Sequence, residues 1–350
     1  MEKLTIGDRL VGCGEPPYII AEVGSNHNGS MDLCRQLIDA AAEAGADAVK
    51  FQSWTEFSLI AEEEYARNTQ YSDKKKHFGS LRQMVKAYQF TTEQHQAAQA
   101  HCQSRGIAFC STPFSTEEAD LLEALEVPFF KIASMDIVHF PLLRHVARKR
   151  KPVIISTGMA TLAEIEQAVQ VVRGEGNDQI LLLHCVSIYP PDHGMIHLRS
   201  MASFQQALGV PVGFSDHTLG TAIPLAAIAL GACVIEKHFT LNKEMPRWDH
   251  AISAEPLDLR EIVQEGKNVF NALGSSARRV SDAEMAKHKQ CRRSVVARRA
   301  LEQGCVLTED DLDAKRPGTG ISPAELPYVL GRRLTCHVSK DHLIRWQDLQ

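Results

Sequence analysis

The chain has 350 residues, of which 44% are hydrophobic and 23% charged, and its formal net charge is −5. These values are ordinary for a globular protein, and the length suits one large domain with a small extra module, or two ordinary domains. The negative balance means that nucleic acid is not expected as a partner.

Short runs rich in β-branched residues alternate along the chain with Ala-, Leu- and Glu-rich stretches of helical period. Helices are predicted between the runs, for example over 31–45 and over 161–176, where Thr161 and Glu164 form a capping-box pattern. Repeated β-α units of this kind favour a parallel sheet. The predicted strands are 17–24, 46–53, 107–114, 129–134, 152–158, 180–186, 211–217 and 233–240.

Polar side chains are concentrated at the C-terminal end of each predicted strand. A strand buried on both faces should stay apolar until it emerges from the core. In an eight-stranded barrel these ends meet at one mouth, where barrel enzymes hold their active sites. The pattern therefore predicts an α/β fold, a (β/α)8 TIM barrel with a catalytic mouth. The residues at these ends are Glu22, Lys50, Gln52, Ser111, Thr112, Lys131, Ser134, Ser156, Thr157, His184, Ser215, His217, Lys237 and His238.

The composition changes after a helical stretch that ends near Gly274. A basic, polar segment follows, and then two short strand-like pieces, 294–298 and 332–338, with RPGTGISP (316–323) between them. So short a region predicts a small β module. We expect a barrel domain over 1–275, a linker over 276–293 and a small C-terminal domain over 294–350.

The sequence gives no sign of export or membrane insertion. Its first ten residues lack a signal pattern, and the longest apolar stretch, 223–235, is short of a membrane span. Nine cysteines, an odd number without CxxC spacing, are expected to be reduced thiols. A cytoplasmic protein without a membrane partner is expected.

Two histidines end the seventh and eighth predicted strands, His217 in FSDHT and His238 in EKHFT. A barrel places them side by side at the mouth. Two imidazoles with open remaining positions suit Mn, Fe or Zn. The alternative is that each ring merely hydrogen-bonds a carbonyl of the rim.

Three lysines, Lys50, Lys131 and Lys237, are expected to project toward the same cavity, accompanied by strand-end hydroxyls. Cations and hydroxyl donors that face one mouth describe a pocket for a small polyanion such as a phosphorylated carboxylate. Two alternatives remain open. A lysine could form a Schiff base with a carbonyl substrate, or could pair structurally with Glu22 or Glu236.

Two further features of the predicted mouth could touch substrate. Glu22 precedes a polar, turn-rich loop, so it is a candidate acid or base, or alternatively a partner of Lys50. Trp248, Asp249 and His250 follow the eighth strand and suit a polyhydroxylated ligand. The alternative for this loop is that Trp248 packs on the rim.

Motifs spread over nearly the whole chain resemble the sialic acid synthase family. The resemblance implies a barrel enzyme, a phosphoenolpyruvate-dependent transferase that forms a carbon–carbon bond with an aldose and gives a nonulosonic acid and phosphate. RPGTGIS further resembles the motif of that family's C-terminal antifreeze-like SAF (β-clip) domain. The motifs are AEVGSNHNG, AVKFQ, CSTPFS, FFKIAS, ISTGM, LHCVSIYP, GFSDHT, GACVIEKHFTL and WDHAISAEP.

The resemblance also implies a role for individual residues. Glu22 matches the catalytic glutamate, and His217 and His238 match the ligands of a divalent metal, Mn²⁺ before Mg²⁺ or Co²⁺. Arg316 matches an arginine that reaches into a neighbouring subunit's barrel, which implies a homodimer with exchanged C-terminal domains. Gln52, Tyr189 and Asp249 match positions that face the sugar. The phosphoenolpyruvate pocket is matched by Lys50, Thr112, Lys131, Ser134, Ser156 and Ser215.

One departure from the family pattern concerns the sugar. Arg247-Trp248 stands where many members have Gly-Pro in the loop after the eighth strand. N-acetylmannosamine is therefore expected as one candidate aldose, beside a 2,4-diacetamido-trideoxyhexose, as for legionaminic or pseudaminic acid, and unsubstituted mannose. A Schiff-base aldolase that acts on pyruvate and a sugar is the alternative enzyme.

Overall fold

The computed structural model describes residues 3–70, 79–246 and 249–350, together with the backbone of 72, 73, 76 and 77. These residues divide into two compact units, Met1–Gly274 and Ser275–Gln350. The predicted linker, 276–293, falls within the second unit and includes a helix.

The first unit contains one sheet of eight parallel strands. Its strands run β3-β2-β1-β8-β7-β6-β5-β4 around the sheet, and β3 and β4 lie beside each other, so the sheet is nearly closed into a barrel. The predicted TIM barrel is therefore confirmed, and each strand falls within a predicted run. The strands are β1 (Tyr18–Gly24), β2 (Ala48–Ser53), β3 (Ala108–Pro113), β4 (Phe130–Ile132), β5 (Val153–Ser156), β6 (Ile180–Cys185), β7 (Val212–Asp216) and β8 (Val234–His238).

Helices connect successive strands. The predicted capping box at Thr161 is confirmed: its hydroxyl accepts from the Glu164 N–H, and the Glu164 carboxylate accepts from the Thr161 N–H. No helix in the described ranges is both long and apolar enough to cross a membrane. The helices are α1 (Met31–Ala44), α2 (Glu62–Arg67), α3 (Leu81–Tyr88), α4 (Thr92–Ser104), α5 (Thr116–Ala124), α6 (Phe140–Arg148), α7 (Leu162–Gly174), α8 (Ser200–Leu208), α9 (Ala222–Ala229) and α10 (Pro256–Leu273).

The barrel interior is filled by apolar side chains below the mouth. Ile20, Ile154 and Leu181 belong to this cluster, which also takes in Leu4 and Ile6 from a hairpin formed by Leu4–Ile6 and Arg9–Val11. The sequence pattern did not predict this hairpin. A second, larger cluster packs the outer faces of the strands against the helices. Because apolar residues fill the barrel below the polar strand ends, these polar groups are held at the mouth.

The second unit begins with helix α11 (Asp282–Cys291) and contains two antiparallel strands, β9 (Ser294–Ala297) and β10 (Leu312–Lys315). The strand predicted over 294–298 is therefore found. The one predicted over 332–338 is wrong: Arg333, Leu334 and Val338 form only isolated bridges. The unit has its own small apolar core, in which Val295, Leu312 and Ile344 are buried.

Candidate active site

A cavity of about 470 Å³ lies where the C-terminal ends of the barrel strands meet. This is the size of an ordinary small-molecule site. Its polar lining contains most of the residues predicted to carry chemistry. They are Glu22, Lys50, Gln52, Thr112, Lys131, Ser134, Ser156, Tyr189, Ser215, His217 and His238.

Four of the predicted mouth residues do not line the cavity. Side chains alternate between the two faces of a strand, so every second polar residue points away from the barrel axis. Ser111 lies 2.6 Å from the Ser53 hydroxyl, and Thr157 donates to the Leu183 carbonyl at 3.0 Å. His184 lies 2.5 Å from the Ile196 carbonyl oxygen and contacts the Phe204 ring of α8.

Lys237 is the fourth predicted mouth residue that does not line the cavity, so the prediction of a third cation there is wrong. Its ammonium is 1% exposed, donates to Asp216 at 2.6 Å and also to the Thr218 carbonyl. Asp216 in turn accepts from the Thr218 N–H at 2.9 Å. This buried ion pair joins β7 to β8 directly beside His217 and His238, so it fixes the relative position of the two imidazoles.

We expect Lys237→Met to lower the free energy of unfolding by about 3–5 kcal/mol, because it leaves a buried carboxylate without its counter-charge. Combining Asp216→Leu with Lys237→Met removes both charges and should cost less than Lys237→Met alone. Urea denaturation of the wild type, the single variant and the double variant measures these losses in the free energy of unfolding. A loss below about 1 kcal/mol for the single variant would contradict the assignment.

The floor of the cavity is a cluster of two lysines and two glutamates, all buried. Lys50 Nζ lies 2.6 Å from Glu22 Oε2 and 3.8 Å from Glu236 Oε2, and Lys131 Nζ lies 3.7 Å from Glu236 Oε1. Hydroxyls complete the cluster: Lys50 donates to Thr112 at 3.1 Å and Lys131 to Ser156 at 2.7 Å. Ion pairs with both glutamates are thus present, while the ammonium groups still face the cavity.

Burial and mutual charge set the protonation of this floor. Burial raises the pKa of Glu22 to about 7, although Lys50 opposes the shift. Burial likewise lowers the pKa of Lys131. Burial alone would lower the pKa of Lys50, but the Glu22 and Glu236 carboxylates outweigh this effect and raise the pKa. Burial would raise the pKa of Glu236, yet Lys131 and Lys50 hold it below its ordinary value. At neutral pH, Glu22 is therefore the carboxyl group of this floor that can gain or lose a proton most easily.

Two predicted hydroxyls lie beside this cluster. The Ser215 hydroxyl donates to Glu236 at 3.1 Å, and the Ser134 hydroxyl accepts from the Gly158 N–H at 3.0 Å. A Cβ at Gly158 would come within 2.2 Å of the Ser187 hydroxyl and 2.8 Å of the Ser134 hydroxyl. A side chain at 158 would therefore force the hydroxyls of Ser134 and Ser187 out of their present positions beside the cavity.

The two histidines lie side by side at one edge of the cavity, with ring centroids 5.3 Å apart. The His217 Nδ1 lies 2.8 Å from the Val186 carbonyl oxygen, so it carries the proton and leaves the lone pair on Nε2. Burial lowers the pKa of His217 to about 4 and that of His238 to about 3. Both rings are therefore neutral at physiological pH, the state in which imidazole binds a metal.

The donor atoms of this pair fit a divalent cation. His238 Nδ1 is buried without a hydrogen-bond partner in the described part of the chain and lies 3.9 Å from Asp249 Oδ2. A ring that donates its other N–H to a carbonyl, as His217 does, is typical of metal ligands. Within the described ranges no group of three or more His, Cys, Asp or Glu side chains is arranged as a metal cluster. Two imidazole donors alone do not fill the coordination sphere that such a cation prefers.

The residues expected to face the sugar lie in two places. Gln52 lines the cavity and donates to Glu22 at 2.9 Å, while the Tyr189 ring stacks on His217 at 4.0 Å. Asp249 lies beside His238, as given above, but does not itself line the cavity. Arg316 directly follows β10 in the second unit and is exposed.

The loop after β8 differs in part from its prediction. Arg247 and Trp248 lie outside the described residues. His250 is fully buried, lies 2.7 Å from the Thr240 hydroxyl and does not line the cavity, so its predicted contact with substrate is wrong. Asn26, from the loop after β1, accepts from the Asp249 N–H at 3.2 Å and donates to the Phe239 carbonyl at 2.9 Å. These contacts hold the backbone of Asp249 in place.

Sequence reasoning assigned no active role to Glu236 and did not find the apolar half of the cavity. The spacing contained a signal for Glu236, since it lies two residues before His238 and must share its face of the strand. The apolar half comes from separate elements. We call it the apolar wall, and it comprises Trp54, Leu59, Ile60, Leu81, Met84 and Phe114.

Comparison with known proteins supports the resemblance seen in the motifs. The chain matches the NeuB family over residues 37–278 and the SAF domain over residues 292–350. It is 38% identical to the N,N'-diacetyllegionaminic acid synthase of Legionella pneumophila over 95% of this chain and 94% of that protein. It is 40% identical to the enzyme of the same name from Campylobacter jejuni, over 93% of this chain and 98% of that protein.

A solved structure agrees with these matches. The N-acetylneuraminic acid synthetase of Leptospira borgpetersenii, in complex with citrate, is 33% identical, with a TM-score of 0.74 over 82% of this chain and 95% of that one. The likeness therefore extends across both chains at the level of sequence and of fold.

Proposed function

The chain belongs to the NeuB family, and from this membership we propose that it condenses phosphoenolpyruvate with an acetamido-bearing hexose of the N-acetylmannosamine type. The products are a nonulosonic acid and phosphate. One observation carries the proposal: a floor of buried lysines and hydroxyls lies in the same cavity as a pair of neutral imidazoles. The relatives named above, synthases of nine-carbon acids of this kind, support it.

The floor is suited to hold phosphoenolpyruvate. Its phosphate and carboxylate carry several negative charges, and Lys50 and Lys131 supply the matching cations. Thr112, Ser134, Ser156 and Ser215 supply hydroxyls around them. Holding both anionic groups fixes the enol carbon C3 toward the aldehyde, so that the two reactants meet in one orientation.

The imidazole pair is suited to the other reactant. We propose that His217 and His238 hold a divalent cation, Mn²⁺ before Mg²⁺ or Co²⁺. When bound, such an ion supplies Lewis-acid polarisation of the aldehyde oxygen. The stack of Tyr189 on His217 keeps that ring in one orientation.

Glu22 is suited to the steps at C2 of phosphoenolpyruvate. The C3–aldehyde bond forms, water adds at C2, and the tetrahedral carbon then expels phosphate and leaves the 2-keto acid. Glu22 is held by Gln52 and Lys50 at the cavity floor, and with a pKa of about 7 it can take or return a proton. As a carboxylate it also stabilises positive charge that develops at C2.

A Schiff-base aldolase is the second candidate, because the lowered pKa of Lys131 is a property such lysines share. One experiment separates the two. Purified protein is supplied with Mn²⁺, phosphoenolpyruvate and a panel of aldoses, and phosphate release is followed. A parallel sample with pyruvate is treated with borohydride. Aldose-dependent phosphate release without a trapped adduct supports the synthase, and a lysine adduct with no phosphate release supports the aldolase.

We further propose that the enzyme is a homodimer with exchanged C-terminal domains, in which Arg316 completes the partner's sugar site. The support is that Arg316 is exposed and lies in a unit whose described residues form only a small core. Its counterpart in the resembling family contacts sugar across the subunit boundary.

Mixing two inactive variants tests this arrangement. Arg316→Ala and His238→Ala damage different parts of a composite site, so subunit exchange should restore activity to about a quarter of the wild-type value. About half of the dimers are then mixed, and each mixed dimer has one intact site of two. If the Arg316→Ala protein stays active, Arg316 does not contact the sugar and only pairs with a carboxylate at the surface. An inactive one that mixing never rescues would show that Arg316 acts within its own chain.

A further inference from the structure

A buried histidine behind the cavity belongs to a chain of hydrogen bonds. His95 lies on helix α4, is 2% exposed and does not itself line the cavity. Its Nε2 lies 2.7 Å from the Ser53 hydroxyl, and its Nδ1 lies 2.9 Å from the Thr91 carbonyl oxygen. The Ser53 hydroxyl lies 2.6 Å from the Ser111 hydroxyl. These contacts join α4 to the C-terminal halves of β2 and β3.

The geometry sets the direction of each hydrogen bond in this chain. A carbonyl oxygen can only accept, so the Nδ1 of His95 carries the proton and its Nε2 is left as an acceptor. Ser53 therefore donates to His95, and because its hydrogen is then used, Ser111 donates to Ser53. Burial lowers the pKa of His95, so the ring remains neutral and keeps this acceptor. The Phe90 ring packs perpendicular to the imidazole at a centroid distance of 5.5 Å.

The two serines lie directly behind residues that line the cavity. Successive side chains of a strand point to opposite faces. Ser53 follows Gln52 and Ser111 precedes Thr112, and the register of β2 and β3 places Gln52 opposite Thr112. Both serines are completely buried. The chain of hydrogen bonds therefore holds, from the outer face, the two strand segments that carry Gln52 and Thr112 on the inner face.

The pairing of β2 with β3 ends at this level, with Ser53 opposite Pro113. The Phe114 N–H donates to the Ser53 carbonyl at 3.3 Å, which is longer than the ordinary distance of about 2.9–3.0 Å. The side-chain bonds of Ser53 thus add a tie between the strands at the point where the backbone ladder itself ends.

Both inner-face residues contact charged groups of the cavity floor. Gln52 donates to Glu22 at 2.9 Å, and Thr112 accepts from Lys50 at 3.1 Å. The proposed reaction needs Glu22 at C2 of phosphoenolpyruvate and Lys50 at the anionic groups of the same substrate. A shift of β2 against β3 would disturb both contacts together, and a misplacement of about 1 Å can cost about 100-fold in rate.

We propose that His95 is a positioning residue for this reaction. By accepting from Ser53 it fixes β2 against β3, and through this strand pair it keeps Glu22 and Lys50 in place. The inference rests on the proposed function and adds to it a residue that touches no substrate. His95→Leu removes the acceptor, so kcat for phosphate release should fall by about 10- to 100-fold.

Two further histidine variants accompany His95→Leu. His95→Gln keeps an acceptor near the position of Nε2 and should restore kcat, because Ser53 can still donate to it. His101→Leu is the matched control, since it makes the same substitution on the same helix. The His101 Nε2 lies 2.8 Å from an Asp39 carboxylate oxygen, away from the strand ends, and its variant should keep the wild-type kcat.

A triple variant separates positioning from stability. His95→Leu leaves a buried serine hydroxyl without a partner, which should lower the midpoint of urea denaturation. Adding Ser53→Ala and Ser111→Ala removes the orphaned hydroxyls and should recover much of that midpoint. The kcat of the triple variant should nevertheless stay low, because the tie between the strands is still missing. This variant also decides the matter if His95→Leu fails to fold.

The outcomes distinguish this inference from the proposed function. A wild-type kcat in folded His95→Leu would overturn the positioning role while the synthase activity stands. So would a kcat that returns together with the urea midpoint in the triple variant. If the wild type releases no phosphate from phosphoenolpyruvate with any aldose of the panel, the proposed function itself fails, and the positioning role fails with it.

Discussion

His217→Ala and His238→Ala are each expected to lower the rate of phosphate release from phosphoenolpyruvate by several orders of magnitude. Both rings are buried and neutral, and either replacement removes one of the two imidazoles proposed to hold the cation. Loss of Lewis-acid stabilisation costs several kcal/mol in the transition state. Chelation of the wild-type enzyme should have the same effect, and Mn²⁺ should reverse it.

Metal binding gives a readout that does not depend on turnover. Isothermal titration of the metal-free protein with Mn²⁺ should show binding by the wild type and by His145→Ala, whose imidazole pairs with Asp120 at the surface. Neither His217→Ala nor His238→Ala should bind Mn²⁺ with the affinity of the wild type. Full activity of the wild type in excess chelator would exclude this role for the histidine pair.

Lys131→Ala should weaken the use of phosphoenolpyruvate far more than it changes the ranking of sugars. The ammonium is buried beside Ser156 and Glu236, so its removal takes a charge from the anion pocket and leaves a carboxylate facing it. Loss of such a contact costs about 2–5 kcal/mol, or about 30- to 5,000-fold in kcat/KM for phosphoenolpyruvate.

Lys149→Ala is the matched control, because this lysine pairs with Asp120 and Glu123 away from the cavity. Steady-state kinetics with each substrate varied in turn makes the comparison. An altered sugar ranking with an unchanged KM for phosphoenolpyruvate would show that Lys131 faces the aldose instead.

The barrel was predictable from the sequence because its signals are local. Eight apolar runs, each closed by polar residues, define the strands and the end at which they meet. The short N-terminal hairpin carries no such pattern: only three residues form each of its strands, and contact with the barrel interior stabilises it. In the same way, residues 332–338 have the composition of a β-strand, but in the small second unit they form only isolated bridges.

The site was predictable in part, and strand alternation explains where the predictions fail. Listing every polar residue near a strand end gave the cavity residues, but it also gave Lys237, which points the other way to Asp216. Counting by two from His238 selects Glu236 and rejects Lys237. The apolar wall could not be found in this way, because Trp54, Met84 and Phe114 are distant in sequence and only the fold brings them together.

The fate of one oxygen atom tests the central claim, the condensation of phosphoenolpyruvate with an aldose through addition of water at C2. Phosphoenolpyruvate labelled with ¹⁸O in the bridge between C2 and phosphorus is supplied with the aldose and Mn²⁺, and the released phosphate is analysed by mass spectrometry. The account predicts that the label leaves with phosphate, one labelled phosphate for each nonulosonic acid formed, and none without aldose. Unlabelled phosphate, or labelled phosphate released without any aldose, would contradict it.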